Sequence, residues 1–445
     1  MNRFEKILLT IFFVEVFVGG GGRLIDFGVL SIRQVLFLLL IITFVFRIVK
    51  ERAIFDNKIN TFFRLNPLTI GIYALLVWFA GSAVIGLING NPISIIVMDF
   101  LRVSYFALYF PLAYYISNER FTLSRIIKIL KYSALTVAIF TITVDLLGKT
   151  IFAANFYPFY VFMNTIMNDD LFFRPSNSVF YKSHLFVLIG LILALNNLLN
   201  KKYSKLDIAL IILASISVLW SETRGFLLAF MLSVVMIIIL DVKVIVDPIK
   251  GLSSKLKKLV QTKQFMKKFV ISVLVLVAVP FMYQYMTLER FEVATQDPKV
   301  QTELDKSKEV NDVSVNARME FIVASKDILV QPKYLILGMG YGSEIAGRTD
   351  GIEMSFLDIL LEQGIIGLAI WGFLFLIVFI NYYSAYKRGR MLTTLDISLM
   401  AAFMGILLLT NINPFINNPI GISFFLVMLI VSQIKKELSA GEELQ

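Results

Sequence analysis

TIGIYALLVWFAGSAVIGLI, residues 69–88, runs for twenty positions without a lysine, arginine, aspartate or glutamate. A helix rises about 1.5 Å per residue, so this run reaches about 30 Å, the thickness of a bilayer's hydrocarbon core. Working outward from it, similar apolar runs fall at 4–19, 28–49, 94–117, 126–147, 178–199, 205–221, 223–241, 269–287, 354–381, 391–411 and 419–434. The chain of 445 residues is 58% hydrophobic and only 17% charged, where a soluble protein carries about 25% charged residues. The expected fold is all-α, a polytopic integral membrane protein with about 12 transmembrane helices.

Charge between the runs sets the expected orientation. With the N-terminus inside, the cytoplasmic segments are Lys50–Arg64, Arg120–Lys131, Lys201–Lys205, Lys243–Lys268, Lys387–Arg390 and the tail at Lys435 and Lys436. Every one is basic, as the positive-inside rule requires. The opposite turns Asn89–Pro92 and Asn411–Pro419 carry no lysine or arginine. Both termini are therefore expected in the cytoplasm of a multi-pass protein whose first partner is the lipid bilayer. The formal charge of +10 would suggest nucleic acid in a soluble protein; here it is a topology signal, and no nucleic-acid partner is expected. The absence of cysteine excludes disulfide and thiolate chemistry. A single histidine, His184, excludes a zinc site built on several. The first run, Phe4 to Val18, lacks a small-residue cleavage site and reads as a span, not a signal peptide.

Two segments on the outer side are too long for plain turns, Gly148–Asn177 and Leu288–Glu353. The second divides the chain into helices one to nine (1–287), a large extracytoplasmic loop (288–353), and helices ten to twelve with the tail (354–445). Within the loop, Glu289 to Asn316 is charged and poor in aromatics and reads as mobile. Val315 to Val330 sets Met319, Ile322, Val323 and Ile328 at helical spacing, with Pro332 soon after. It is expected to be an amphipathic helix on or near the membrane surface.

Half of the arginines fall on the side that topology disfavours: Arg23, Arg33, Arg102, Arg174, Arg224, Arg290, Arg318 and Arg348. The planar, permanently charged guanidinium suits phosphate and diphosphate, so the group as a whole points to an anionic, lipid-linked ligand. Any one of them has a plainer reading as the partner of an acid such as Asp99, Glu222 or Glu289. Arg224, in Trp220-Ser221-Glu222-Thr223-Arg224-Gly225, falls in the first turn of an outward-facing helix, where backbone N–H groups and guanidinium together attract an anion. The alternative there is a Glu222–Arg224 pair that fixes the hairpin. Asn316-Ala317-Arg318 precedes the amphipathic helix, and Gly338-Met339-Gly340-Tyr341-Gly342 follows it. The glycines either let backbone approach a ligand or form an ordinary loop; without a following Lys-Ser/Thr they are no P-loop. Glu353 enters the tenth span at the water–membrane boundary, where partial desolvation suits a general base, although a helix N-terminus also favours an acid on dipole grounds alone. Phe156, Tyr157, Phe159, Tyr160 and Phe162 read as an interfacial belt, and His184 as a packed residue as readily as a functional one.

In this order, the pieces resemble the O-antigen ligase and polymerase superfamily of bacterial polysaccharide assembly. The likeness rests on Ser221-Glu222-Thr223-Arg224-Gly225, Asn316-Ala317-Arg318, Gly338-Met339-Gly340 and Gly364-Ile365-Ile366-Gly367. Gly19-Gly20-Gly21-Gly22 ahead of Ser31-Ile32-Arg33 adds a resemblance to Wzy-type polymerases. No one motif is specific; the ordered set on one face is. Ligases of this family carry a histidine at the entry to the helix after the large loop, where this chain has Glu353, and that departure favours a polymerase. The resemblance implies transfer of a growing glycan from undecaprenyl diphosphate to the terminal sugar of a lipid-linked repeat unit, in the product class of O-antigen, capsule or exopolysaccharide. It implies Arg224 and Arg318 on the diphosphate, with Arg174, Arg290, Arg348 and Tyr341 assisting in substrate binding, and Glu353 as the base. No D-x-D is present to hold a metal–nucleotide complex, and neither metal nor cofactor is implied. The implied partners are undecaprenyl-diphosphate-linked oligosaccharide and polymer, with a chain-length regulator and a flippase of the same pathway as candidates. A ligase, and a lipid-linked oligosaccharide flippase using Glu15, Asp99, Arg102 and Asp145 near the midplane, are the alternatives.

Overall fold

A computed structural model of the protein describes residues 1–20, 31–56, 59–174, 176–242, 266–278, 281, 313–345, 347–348, 351–389 and 391–441. The helices are α1 (Arg3–Val18), α2 (Ile32–Lys50), α3 (Pro67–Ile88), α4 (Ile93–Ser104), which continues through a 3₁₀ turn into α5 (Tyr109–Ser117), and α6 (Leu123–Lys149). A short α7 (Phe156–Ile166) leads into a hairpin of β1 (Leu171–Arg174) and β2 (Ser178–Tyr181). Then come α8 (His184–Leu199), α9 (Lys205–Trp220), α10 (Arg224–Val242) and α11 (266–278). After the loop stand α12 (Val313–Leu329), α13 (Pro332–Leu337), α14 (Ser355–Lys387), α15 (Thr394–Leu409) and α16 (Pro419–Gly441). Among the described residues, seven helical stretches are long and apolar enough to cross a membrane, and α8 and α15 are shorter apolar helices. The chain is an all-α polytopic membrane protein.

Each of the twelve apolar runs carries a helix, with two corrections. The run 178–199 begins as a β-strand, and its helix starts only at His184. Ser178, Val179, Phe180 and Tyr181 are paired with β1, which satisfies backbone groups that lipid would leave bare. The run 269–287 is described as helix from 266 to 278. The stretch 282–312, which holds Arg290 and most of the segment expected to be mobile, lies outside the described residues, as does Arg23.

Two helices form the inside of the bundle. Every residue of α8 from His184 to Asn196 is buried, and 72% of the apolar window of α16 is buried within the protein. Helix α8 packs with α6, α9 and α15, and α16 with α14 and α5. Around α16 the core is aromatic: Trp371 stacks on Phe425, Phe425 on Phe403, and Phe106 meets Trp371 edge-on. Offset and edge-on contacts of this kind suit the ring quadrupole and hold helices that lipid alone would not drive together.

One end of the bundle gathers the basic segments and neutralises them. Four helices start there with reciprocal caps, Asn2 with Glu5, Asn66 with Thr69, Ser204 with Asp207 and Thr393 with Asp396. The capping acids also receive cations: Arg47 pairs with Glu5 at 2.6 Å, Lys435 with Asp396 at 2.6 Å, and Lys131 with Asp207. Arg120 meets Glu51 at 2.7 Å, where Tyr114 also donates at 2.6 Å.

Candidate active site

At the opposite end, segments far apart in the chain enclose a cavity of about 580 Å³. Arg33 from the first turn of α2, Arg102 from the last turn of α4, Arg174 from β1, Arg224 at the start of α10, Arg318 from α12 and Arg348 all line it. Lys182 adds a seventh cation; Glu222 and Glu353 are the acids on its wall. Every outer arginine within the described residues therefore comes to one place. The wall also includes Phe172 and Phe180 of the hairpin, Leu228 of α10, Gly351 and Ile352, and residues between Ile412 and Ile420, where the loop after α15 enters α16.

The plainer reading, an arginine paired with a nearby acid, is clearest for Arg33 and Arg102. Arg33 is buried, meets Glu15 at 3.5 Å and donates to the carbonyl of Gly20 at 2.9 Å. Arg102 is ringed by three carboxylates, Glu362 at 3.0 Å, Asp99 at 3.4 Å and Asp358 at 3.6 Å. Lys182, too, pairs with Asp170 at 2.6 Å. Arg174, Arg318 and Arg348 also contact neutral groups and rings, and Arg318 and Arg348 share Glu353 as an acid. Arg174 donates to the carbonyl of Ser221 at 3.1 Å and to Thr223 Oγ1 at 3.2 Å, and lies over the Phe180 ring. Arg318 donates to the carbonyl of Ile412 at 3.1 Å. Arg348 lies over the Phe321 ring.

Arg224 begins α10 after a corner in which Glu222 takes a left-handed backbone, φ +49°. Glu222 accepts from the hydroxyls of Ser176 and Ser178, which ties the corner to the hairpin. Glu353 stands just before α14, with Arg318 at 3.6 Å, Arg348 at 3.9 Å and its own side chain 39% exposed. Burial lowers the pKa of Arg318, Glu353 opposes that shift, and repulsion from Arg224 adds to it. Arg224 and Arg318 line the same cavity, and their like charges would favour a bound anion between them. Among the described residues, no set of three or more histidine, cysteine, aspartate or glutamate side chains is arranged to hold a metal ion.

The glycine loop serves another purpose. Helix α14 is broken at Gly364, where φ is +66° and ψ −174°. A break of this kind leaves carbonyls without helical partners. Met339 N–H takes the carbonyl of Leu361 at 2.7 Å, Gly340 N–H that of Glu362 at 3.1 Å, and Trp78 Nε1 that of Gln363 at 2.8 Å. The loop lies so close that a Cβ on Gly340 would sit 2.1 Å from the amide nitrogen of Gly86. The close backbone approach expected of Gly338–Gly342 is thus to the protein's own helices. Tyr341, expected to bind substrate, is fully buried there and does not line the cavity. Its N–H donates to the carbonyl of Ser82 at 3.1 Å.

His184 is likewise packed, with Nε2 3.0 Å from Ser217 Oγ and Nδ1 taken up by the backbone of Tyr181. Of the aromatic cluster, Phe156 and Phe159 are buried while Tyr157 and Phe162 are exposed, and none lines the cavity. The expected amphipathic helix is α12, which buries Phe321 and leaves Met319, Ile322 and Val323 exposed. Sequence reasoning missed Phe172, Phe180, Lys182 and the Ile412–Ile420 wall. The aromatic and β-branched residues of Leu171–Arg174 and Ser178–Tyr181 on either side of Pro175-Ser176-Asn177 were a signal for the hairpin; the uncharged loop offered none.

Residues 209–372 match the Wzy_C family model, described as O-Antigen ligase. An O-antigen polymerase of Shigella flexneri is 28% identical over 455 aligned positions, covering 99% of this chain and 100% of the relative. Both comparisons support the O-antigen ligase and polymerase superfamily. The matched span includes Arg224, Arg318, Arg348, Glu353 and the broken helix at Gly364, whereas Arg33, Arg102, Arg174, Lys182 and the Ile412–Ile420 wall lie outside it. The superfamily likeness thus reaches the cavity through one part of its wall, and the full-length relative carries it over the rest.

Proposed function

We propose that this chain is a polysaccharide polymerase of the O-antigen class, a multi-pass enzyme of the bacterial cytoplasmic membrane whose cavity opens on the outer face. The observation that carries this reading is the convergence of Arg174, Arg224, Arg318 and Arg348 around Glu353 in one cavity. The donor is a growing glycan on undecaprenyl diphosphate, and the acceptor is the terminal sugar of a second lipid-linked repeat unit. The acceptor hydroxyl oxygen attacks the donor's anomeric carbon, and its proton passes to Glu353. The bond from that carbon to the phosphate oxygen breaks, and the diphosphate leaves with the electron pair. Arg224 and Arg318 meet the charge that grows on it, with Arg174 and Arg348 assisting. Guanidinium groups supply this neutralisation, so the proposed reaction needs no metal. Arg290 joins the proposal from its place in sequence alone. Paired acids at the basic end and arginines at the cavity end fit termini in the cytoplasm.

A ligase is the second reading, favoured by the description of the matching family. Deletion separates the two. Loss of a polymerase leaves single repeat units on the acceptor; loss of a ligase leaves long polymer on the carrier. The site is tested by Arg224→Ala and Arg318→Ala in protein that inserts normally. Full-length polymer from both variants would sink the reading.

A further inference from the structure

Arg318 and Glu353 reach the cavity from different segments of the chain. Arg318 is anchored on the loop that follows α15, through the carbonyl of Ile412. Glu353 sits on the short segment Gly351–Met354 ahead of α14. The two segments meet at Asp358, a fully buried carboxylate that lies behind the cavity and does not line it. Its Oδ1 accepts from the backbone N–H of Ile352 at 3.1 Å, one residue before Glu353. Its Oδ2 accepts from Asn417 Nδ2 at 2.7 Å, in the loop that holds Ile412. Asn417 is oriented in turn, since its Oδ1 accepts from Ser355 Oγ at 2.8 Å. The hydroxyl of Ser355 accepts from Thr410 Oγ1 at 3.0 Å, and that oxygen accepts from Ile416 N–H at 3.0 Å. The contacts close a ring, from Glu353 through Asp358, Asn417 and Ile412 to Arg318 and back.

We propose that Asp358 is a positioning residue of the transferase site, the tie closest to Glu353 among those that join the two segments and set the separation of Arg318 and Glu353; Ser355 also meets Thr410 and Asn417 across them. The inference rests on reading the cavity as that site. The chemistry of the tie is specific. Two donors, one backbone and one amide, each need an oxygen, and only a carboxylate offers an acceptor to both. It shares the Arg102 guanidinium with Asp99 and Glu362. Shifts of about 1 Å at a reacting pair cost about a hundredfold in rate, so a tie distant from the substrate is enough to govern turnover.

The test is a reciprocal exchange. Asp358→Asn sets an amide NH2 against one of the two donors, and Asn417→Asp sets two carboxylates face to face. Each single variant is expected to lose about tenfold to a hundredfold in kcat, with KM little changed. The double variant Asp358→Asn/Asn417→Asp restores a donor opposite an acceptor and is expected to recover most of the loss. Full turnover in both single variants, or no recovery in the double, overturns the proposal; the second result would mean that Asp358 acts only through its charge beside Arg102. Because the chain has no cysteine, spin labels placed through Met354→Cys and Asn411→Cys read the wall separation independently of activity. The distance distribution should be narrow in the parent, broad in each single variant and narrow again in the exchange. Narrow distributions throughout refute the tie even where activity falls. Wild-type polymer from Arg224→Ala and Arg318→Ala would instead refute the reading of the cavity and leave the label distances to judge the tie.

Discussion

Arg318 Nη2 and Glu353 Oε2 stand 3.6 Å apart in the cavity lining, close enough for an ion pair and beyond the reach of a hydrogen bond. Each is fixed from behind, Arg318 by the carbonyl of Ile412 and Glu353 through its neighbour Ile352. In the proposed reaction an acceptor hydroxyl and a departing phosphate oxygen need a base and a cation side by side, and this spacing would meet that need.

Glu353→Gln keeps the shape of the side chain and removes the proposed base. Turnover should fall by about a hundredfold to ten-thousandfold, with KM nearly constant, measured as repeat units incorporated per minute from purified lipid-linked substrate. A variant that turns over at the parent rate would take Glu353 out of the chemistry.

Charge alone should not replace the guanidinium groups. Arg318→Lys and Arg224→Lys keep a cation and lose the planar fork that meets two oxygens at once. Both should resemble the alanine variants more than the parent, read as the length ladder of the polymer on a gel. Parental ladders from the lysine variants would mean that the site senses only net positive charge.

The glycine loop should matter to folding rather than to substrate. At Gly340 φ is +79° and an added Cβ would lie 2.1 Å from the backbone of Gly86, so Gly340→Ala should abolish stable insertion. Gly347 has a similar φ of +77° with nothing within 4 Å of a Cβ, and Gly347→Ala should cost only about 1–2 kcal/mol for the left-handed backbone. Comparing the amount of folded protein recovered in detergent checks this; equal recovery would contradict the packing.

The basic end has its own pH dependence. The hydrogen bond from Arg120 pulls the Glu51 carboxyl down to about 2, burial works against it, and Tyr114 assists. A carboxyl depressed in the folded state contributes stability above its unfolded pKa of about 4.3 and loses it as pH falls through the folded value. Thermal stability in detergent should therefore decline between about pH 4.3 and pH 2 in the parent. In Glu51→Gln it should be lower by about 1–3 kcal/mol near neutrality and decline less over that interval. An identical acid limb in both proteins would show that the Arg47–Glu51–Arg120 contacts carry no linkage.

The amino-acid sequence by itself determined the membrane class, the helical runs and the group of arginines that share one end. These follow from hydrophobic length and from where charge falls, which are local properties of the chain. Val313–Leu329 was legible for the same reason, through the spacing of Met319, Ile322 and Val323. Only tertiary structure decided which arginines stay available. Nothing local separates Arg102, which is enclosed by Asp99, Asp358 and Glu362, from Arg318, which faces the cavity, because two of those three carboxylates come from α14. Nor does a motif tell what its glycines approach. Gly338–Gly342 meets the broken helix at Gly364 and the backbone of Gly86, and Tyr341 goes into the core with it. The cavity wall at Ile412–Ile420 carries no charge to mark it, and its place beside Glu353 is set by Asp358, a contact between segments that only the folded chain brings within hydrogen-bond reach.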